Sequence, residues 1–106
     1  FATGTPGGRT IINTTLQTIL NVIDHDMNIA QAIDAPRIHH QWLPNVTRME
    51  SGSFSADTVA LYEQRNHVIQ STRSIGTAMG VYRDPKTGVL SGAADPRAED
   101  GGAVAW

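Results

Sequence analysis

The chain has 106 residues, 40% of them hydrophobic and 17% charged; a chain of this size folding alone buries about two-thirds of its unfolded surface, so a single domain over the whole length is the expectation. Net charge is −2, and the eight basic residues are spread from Arg9 to Arg97, which offers no patch for a nucleic-acid backbone or an anionic membrane. Cysteine is absent, which excludes disulfides, zinc-thiolate sites and thiol nucleophiles, and no apolar run approaches the ~20 residues of a membrane span.

The chain opens on Phe1-Ala2-Thr3-Gly4, without a charged n-region or an apolar h-region, and reads as a fragment or a processed chain. From Thr10 to Asp24, residues Ile12, Leu16, Ile19, Leu20 and Ile23 recur at helical spacing while Asn13, Gln17 and Asn21 lie on the other side, which predicts a one-faced helix. A second, shorter helix starts at Asn28, with Gln31 placed to complete a capping box. It stops near Asp34, because Pro36 disfavours helix at Ala35. Arg37 to Pro44 reads as an extended crossing and Thr47 to Glu50 as a short strand, followed by the turn Ser51-Gly52-Ser53. Ser55 caps a third helix that runs to about Asn66, with Val59, Ala60 and Tyr62 turned inward. Strands are expected at His67 to Gln70, Thr77 to Arg83 and Val89 to Ala94, the last two joined by the tight connection Asp84-Pro85-Lys86-Thr87-Gly88. The fold class is α+β, helices followed by antiparallel strands.

The strongest local feature is Gly4-Thr5-Pro6-Gly7-Gly8-Arg9-Thr10, directly before the first helix. Consecutive glycines at a helix start expose backbone N–H groups to whatever docks there, so the loop is a candidate anion cradle. Two chemistries use such a cradle: holding a phosphate, or stabilising the oxyanion of acyl transfer. A Walker loop fails on spacing, since Arg9 stands where its second glycine belongs. A dinucleotide fingerprint fails because no strand is expected before the loop and Gly4 and Gly7 are too far apart. The bland alternative is a plain turn with a helix cap.

Gly4-Thr5-Pro6-Gly7-Gly8 resembles the Gly-Ser-Pro-Gly-Gly loop of the γ-glutamyltransferase (glutathione hydrolase) family. Ala35-Pro36-Arg37-Ile38-His39-His40-Gln41-Trp42-Leu43-Pro44 resembles that family's Ala-Pro-Arg-x-His-His-Gln-Trp-Leu-Pro segment, and Ala94-Asp95-Pro96-Arg97 its Ser-Asp-Pro-Arg. The resemblance implies part of an αββα N-terminal-nucleophile hydrolase, specifically the C-terminal portion of the small subunit of a self-cleaving precursor. An N-terminal threonine then attacks the γ-glutamyl amide, with its α-amine as base and an acyl-threonine as intermediate. The family's paired glycines, which donate N–H groups to the oxyanion, map onto Gly7 and Gly8, and the adjoining Thr5 and Pro6 become loop residues at the substrate. Thr5 replaces the usual serine and keeps a hydroxyl. The nucleophile, its assisting threonine, the acidic residue that binds the substrate amine and the paired serines at its carboxylate all lie upstream of the loop in the family, so the fragment alone is expected to be inactive. Trp106 stands where the family often ends in tyrosine.

The implied partners are the remainder of the small subunit, the large subunit and a γ-glutamyl substrate such as glutathione. No cofactor is implied, and the family in bacteria is periplasmic or secreted. Alternatives are a cephalosporin-acylase-like member of the superfamily and a non-catalytic binding or assembly module. An isolated piece of a layered fold leaves sheet edges and apolar helix faces open, which predicts self-association into a homo-oligomer.

Other residues invite sharper readings. His39 and His40 are adjacent, and in an extended segment they point to opposite faces, so local hydrogen bonding is expected of them rather than a metal site. Arg37, Asp95 and Arg97 could bind carboxylates, but flanking prolines and carboxylates favour buried structural ion pairs. Trp42 reads as core. Asp24-His25-Asp26 matches a triad only in composition, since it ends a helix.

Overall fold

The structure, a computed structural model, describes residues 1–104, so Trp106 lies outside the described residues. The chain divides into two compact units, one built from Phe1–Ala35 with the described residues from Gly76 on, the other from Pro36–Ile75.

The first unit holds strand β1 (Ala2–Gly4), a 3-10 turn at Gly8–Thr10 that runs into helix α1 (Ile11–Ile23), and helix α2 (Ile29–Asp34). The expected capping box opens α2: the Gln31 N–H donates to Asn28 Oδ1 at 2.9 Å and the Asn28 N–H to Gln31 Oε1 at 3.2 Å. Ile29 and Ile33 project from α2 into a core with Ala78, against which Val22, Tyr82 and Ala93 pack. The sheet below α2 can come this close because it presents Gly80: a Cβ there would lie 2.7 Å from Ile29 Cδ1 and 3.3 Å from Ile33 Cδ1.

Helix α1 is one-faced, but its polar side is the one turned inward. Thr14 and Thr18 are buried, while Ile12 is 82% exposed and Leu16, Leu20 and Ile23 are exposed with it. Asn21 sits on the inner face and ties α1 to α2 through its Nδ2, which donates to the Ala32 carbonyl at 3.2 Å. The apolar ridge is therefore exposed among the described residues. Helical spacing identifies the ridge but does not say which side meets the core.

Two further strands of the first unit complete an antiparallel sheet. In the second unit β2 (Ile38–His39) and β3 (Thr47–Glu50) pair antiparallel, helix α3 (Ala56–Gln64) follows, and β4 (Ile69–Thr72) pairs parallel to β3. Returning over α3 is what makes that pair parallel, since a parallel neighbour needs a long crossover. Ser55 caps α3 as expected, its Oγ accepting from the Thr58 N–H at 3.2 Å. The sheet of the first unit then runs β1, β5 (Met79–Arg83), β6 (Leu90–Ala94), with Ala2 opposite Val81 and Val81 opposite Gly92. Met79 and Val81 alternate outward with buried Gly80 between them, so this sheet leaves an apolar face about half exposed, with Ala103 reaching it at Gly92.

The β5–β6 hairpin closes as the sequence predicts. Asp84 N–H donates to the Val89 carbonyl at 2.9 Å, and Asp84 Oδ1 accepts from the Lys86 and Thr87 N–H groups at 2.7 and 3.0 Å. Bonds from the Thr87 and Lys86 backbone hold the Asp84 carboxyl below its ordinary value. A carboxylate depressed on folding stabilises the turn above its unfolded pKa and loses that contribution as pH falls through the folded one. In an amide NMR titration, Lys86 and Thr87 should therefore shift together at a pH below the ordinary aspartate range. Asp84→Asn, which keeps an acceptor oxygen, should abolish the titration and leave the turn formed; a midpoint at the ordinary value would refute this.

Candidate functional site

The Gly loop is built by its neighbours. A strand does precede it, contrary to expectation, because β1 finds its partner 75 positions or more along the chain, in β5; the dinucleotide reading is left excluded by the glycine spacing alone. After β1 the Thr5 hydroxyl takes two bonds, accepting from the Thr77 N–H at 2.9 Å and donating to the Pro6 carbonyl at 2.7 Å. Gly7 and Gly8 follow at φ 137° and 58°, a backbone path that side chains disfavour. Thr10 fixes the far side: its N–H and its Oγ1 both reach the Gly7 carbonyl, at 3.2 and 3.0 Å. The Ile11 N–H closes on the Gly8 carbonyl.

Both glycine carbonyls are thus occupied. The Gly7 and Gly8 N–H groups are not: among the described residues neither donates to an acceptor, and both residues are exposed. They sit at the positive end of a helical run from Gly8 to Ile23, where unpaired N–H groups and the helix dipole favour negative charge. The loop can therefore offer two fixed backbone donors to an anion or to a developing oxyanion.

The other predicted residues take scaffold positions. Asp95 is buried, with Oδ2 accepting from the Ala78 N–H at 2.7 Å and Oδ1 from the Arg97 N–H and Nη1, each at 3.0 Å. Arg97 continues to the C-terminal carbonyls of α2, reaching Ile33, Asp34 and Ala35 at 3.2 Å each. Arg37, in the second unit, is 2% exposed and donates from Nη1 to the Ile75 carbonyl at 2.9 Å.

The two histidines do face opposite ways. His39 is buried and meets Gln41 Oε1 at 3.0 Å, whereas His40 is exposed and meets Asn45 Oδ1 at 3.0 Å. The Trp42 N–H donates to His40 Nδ1 at 3.2 Å, so Nδ1 is an acceptor and the His40 proton sits on Nε2. Trp42 itself corrects an expectation: the residue is 78% exposed, not core. The residue adopts φ 68° in the turn between Gln41 and Pro44, and this swings the side chain outward. Asp24, His25 and Asp26 are all exposed at the end of α1.

Sequence reasoning passed over Glu50. It is 4% exposed, and its two carboxylate oxygens accept the Arg37 N–H at 3.0 Å and the Ile75 N–H at 2.8 Å, which fastens both ends of the second unit to β3. A single acid at the end of a four-residue strand carries no pattern that would have revealed this. Thr14 was likewise missed; it is fully buried and its Oγ1 has no hydrogen-bond partner among the described residues.

The mixed α+β scaffold thus presents two backbone N–H groups, without an acceptor among the described residues, at a helix start. The sequence model of the family described as Gamma-glutamyltranspeptidase matches residues 1–105, and the chain belongs to that family. It is similar to a glutathione hydrolase proenzyme of Escherichia coli (strain K12), 45% identical over 100 residues that make up 94% of this chain and 17% of that protein. It is also similar to the solved gamma-glutamyltranspeptidase of Helicobacter pylori, 41% identical with TM-score 0.82 over 91% of this chain and 53% of that one. The solved cephalosporin acylase of Bacillus halodurans is 31% identical with TM-score 0.86, over 98% of this chain and 19% of that one. The chain thus spans about a sixth of the length of the curated relative it matches, and the fold of these solved enzymes is the one seen here.

Proposed function

We propose that these residues form the C-terminal portion of the small subunit of an enzyme that cleaves γ-glutamyl amides and passes the glutamyl group to water or an amine, with Gly7 and Gly8 as its oxyanion hole. The observation that carries the reading is the pair of exposed, undonated glycine N–H groups at the head of α1, in a chain matched to the family over residues 1–105. The nucleophilic threonine belongs to a preceding part of the polypeptide. Its α-amine takes the hydroxyl proton as the oxygen bonds to the γ-carbonyl carbon, and the carbonyl π electrons move to oxygen, whose negative charge the two N–H groups stabilise by hydrogen bonding. On collapse the C–N bond breaks as the α-ammonium gives that proton to the leaving nitrogen, and the acyl-threonine left behind is opened by water or an acceptor amine. Thr5 and Pro6 set the near wall of that loop.

The proenzyme naming of the relatives supports a processed precursor. So does the arithmetic of coverage: a matched stretch that is 17% of a curated proenzyme is 53% of a solved chain. The decisive assay uses the full-length protein on γ-glutamyl-p-nitroanilide beside a cephalosporin amide. Release of p-nitroaniline supports the reading; turnover of the cephalosporin amide alone favours the acylase alternative, which the 31% identical acylase structure keeps in view.

In the whole protein the remaining subunit mass covers the ridge of α1 and the outer sheet face. The isolated 106-residue chain, lacking that cover, should self-associate in sedimentation velocity. Ile12→Glu with Ile23→Glu should weaken association about 10-fold or more, since burying each isoleucine is worth about 1.5–3 kcal/mol. A monomer at high concentration with no hydrophobic-dye binding would count against the uncovered ridge.

A further inference from the structure

We propose that Gly76 is a positioning residue for the Gly7–Gly8 donor pair, a gap one methyl wide into which the hydroxyls of Thr14 and Thr5 both fit. This rests on the reading of Gly7 and Gly8 as oxyanion donors, and deepens it by naming what sets their height.

Gly76 opens the segment that leads into β5, and it takes φ 68°. A Cβ on it would lie 2.5 Å from Thr14 Oγ1, 3.0 Å from Thr14 Cγ2 and 3.1 Å from Thr5 Oγ1. Two threonines, one from α1 and one from the Gly loop, therefore close on the same backbone carbon. Thr14 is 0% exposed with an Oγ1 that lacks a hydrogen-bond partner among the described residues. The hydroxyl lies 2.5 Å from where a Gly76 Cβ would stand, so it occupies the space that only glycine leaves open.

The loop itself reaches the same floor. A Cβ on Gly7 would be 3.8 Å from Gly76 Cα, and the next residue, Thr77, gives its N–H to Thr5 Oγ1. One helical turn before Thr14, Thr10 holds the Gly7 carbonyl through its own hydroxyl. The path from Gly76 to the donors is thus short on both sides: through Thr5 and Pro6 from before the glycines, through Thr14 and Thr10 from after them. A side chain at position 76 must push one arm away. Oxyanion donors act over a narrow span of distance, and small misplacements are costly in rate, so the consequence belongs to kcat.

The test is Gly76→Ala in the full-length protein, alone and with Thr14→Ala, which removes both the Oγ1 and the Cγ2 that the new methyl would strike. On γ-glutamyl-p-nitroanilide the single variant should lose about 10–100-fold in kcat with KM within about 3-fold, and the double variant should regain about 10-fold. Hydrogen exchange of the Thr5–Thr10 stretch should quicken in the single variant and return in the double. Thr5→Val, which takes the acceptor from the Thr77 N–H, should repeat the kcat loss from the other arm, and Thr5→Ser should restore it. A normal kcat in Gly76→Ala overturns the proposal, as does a loss of kcat with unchanged exchange and no rescue by Thr14→Ala. If the unmutated protein does not cleave the γ-glutamyl donor, the functional reading fails. The exchange arm then still decides the wedge: quickened and rescued exchange supports it, and unchanged exchange overturns it.

Discussion

Replacing Gly8 by proline in the full-length protein should lower kcat for γ-glutamyl-p-nitroanilide by about 10²–10³-fold, the cost of removing one oxyanion donor. KM should change far less, because the N–H acts on charge that develops only after attack. Proline also demands φ near −65°, whereas Gly8 has φ 58°, so the loop itself is disturbed and a control is required. Gly8→Ala is that control. It keeps the N–H, and no atom lies within 4 Å of the added Cβ. The left-handed backbone costs a non-glycine residue about 1–2 kcal/mol, so alanine should lose about 30-fold at most, still less than proline. Gly7 offers no such control, because a Cβ there would sit 2.5 Å from Thr10 Oγ1 at φ 137°. Equal kcat for the proline and alanine variants would show that the loop matters through its shape and not through its N–H; full activity of the proline variant would remove Gly8 from the chemistry.

What the sequence made legible was local chemistry. Asn28 with Gln31, Ser55 ahead of α3, and Asp84 through Gly88 each specify their structure by a side chain bonding to backbone two or three residues away, and each formed as read. The Gly loop was legible for the same reason, since its unpaired N–H groups follow from glycine at a helix start. Features that depend on distant partners were not. Three residues of β1 have no period to detect, and they become a strand only because Met79–Val81 lies alongside. The orientation of α1 was hidden because its ridge is apolar while the surface it covers is met by small threonine side chains. Glu50 and Thr14 owe their burial to Ile75 and Gly76, neither of which is near in sequence.

The second large effect concerns stability. Asp95→Ala should destabilise the first unit by about 3–5 kcal/mol, the cost of taking one member from a buried charged pair. The magnitude follows from what is left behind. The Asp95 side chain is fully buried, and Arg97 beside it is 15% exposed, so its charge has little water to turn to. The Ala78 N–H, at 2.7 Å from Asp95 Oδ2, would lose its acceptor at the start of β5. An unmade buried hydrogen bond alone costs about 1–3 kcal/mol. Arg97 keeps its contacts to the Ile33, Asp34 and Ala35 carbonyls, which hold it at the end of α2 while its countercharge is gone. Adding Arg97→Leu to Asp95→Ala should therefore restore part of the loss, but not the share due to Ala78. Urea unfolding of the four members of this cycle should give a coupling of about 1–3 kcal/mol between the two positions. Additive losses would mean that Asp95 serves the Ala78 backbone and Arg97 serves α2, with no pair between them. In either case kcat per folded molecule should stay near that of the parent, because neither side chain reaches the Gly7–Gly8 donors.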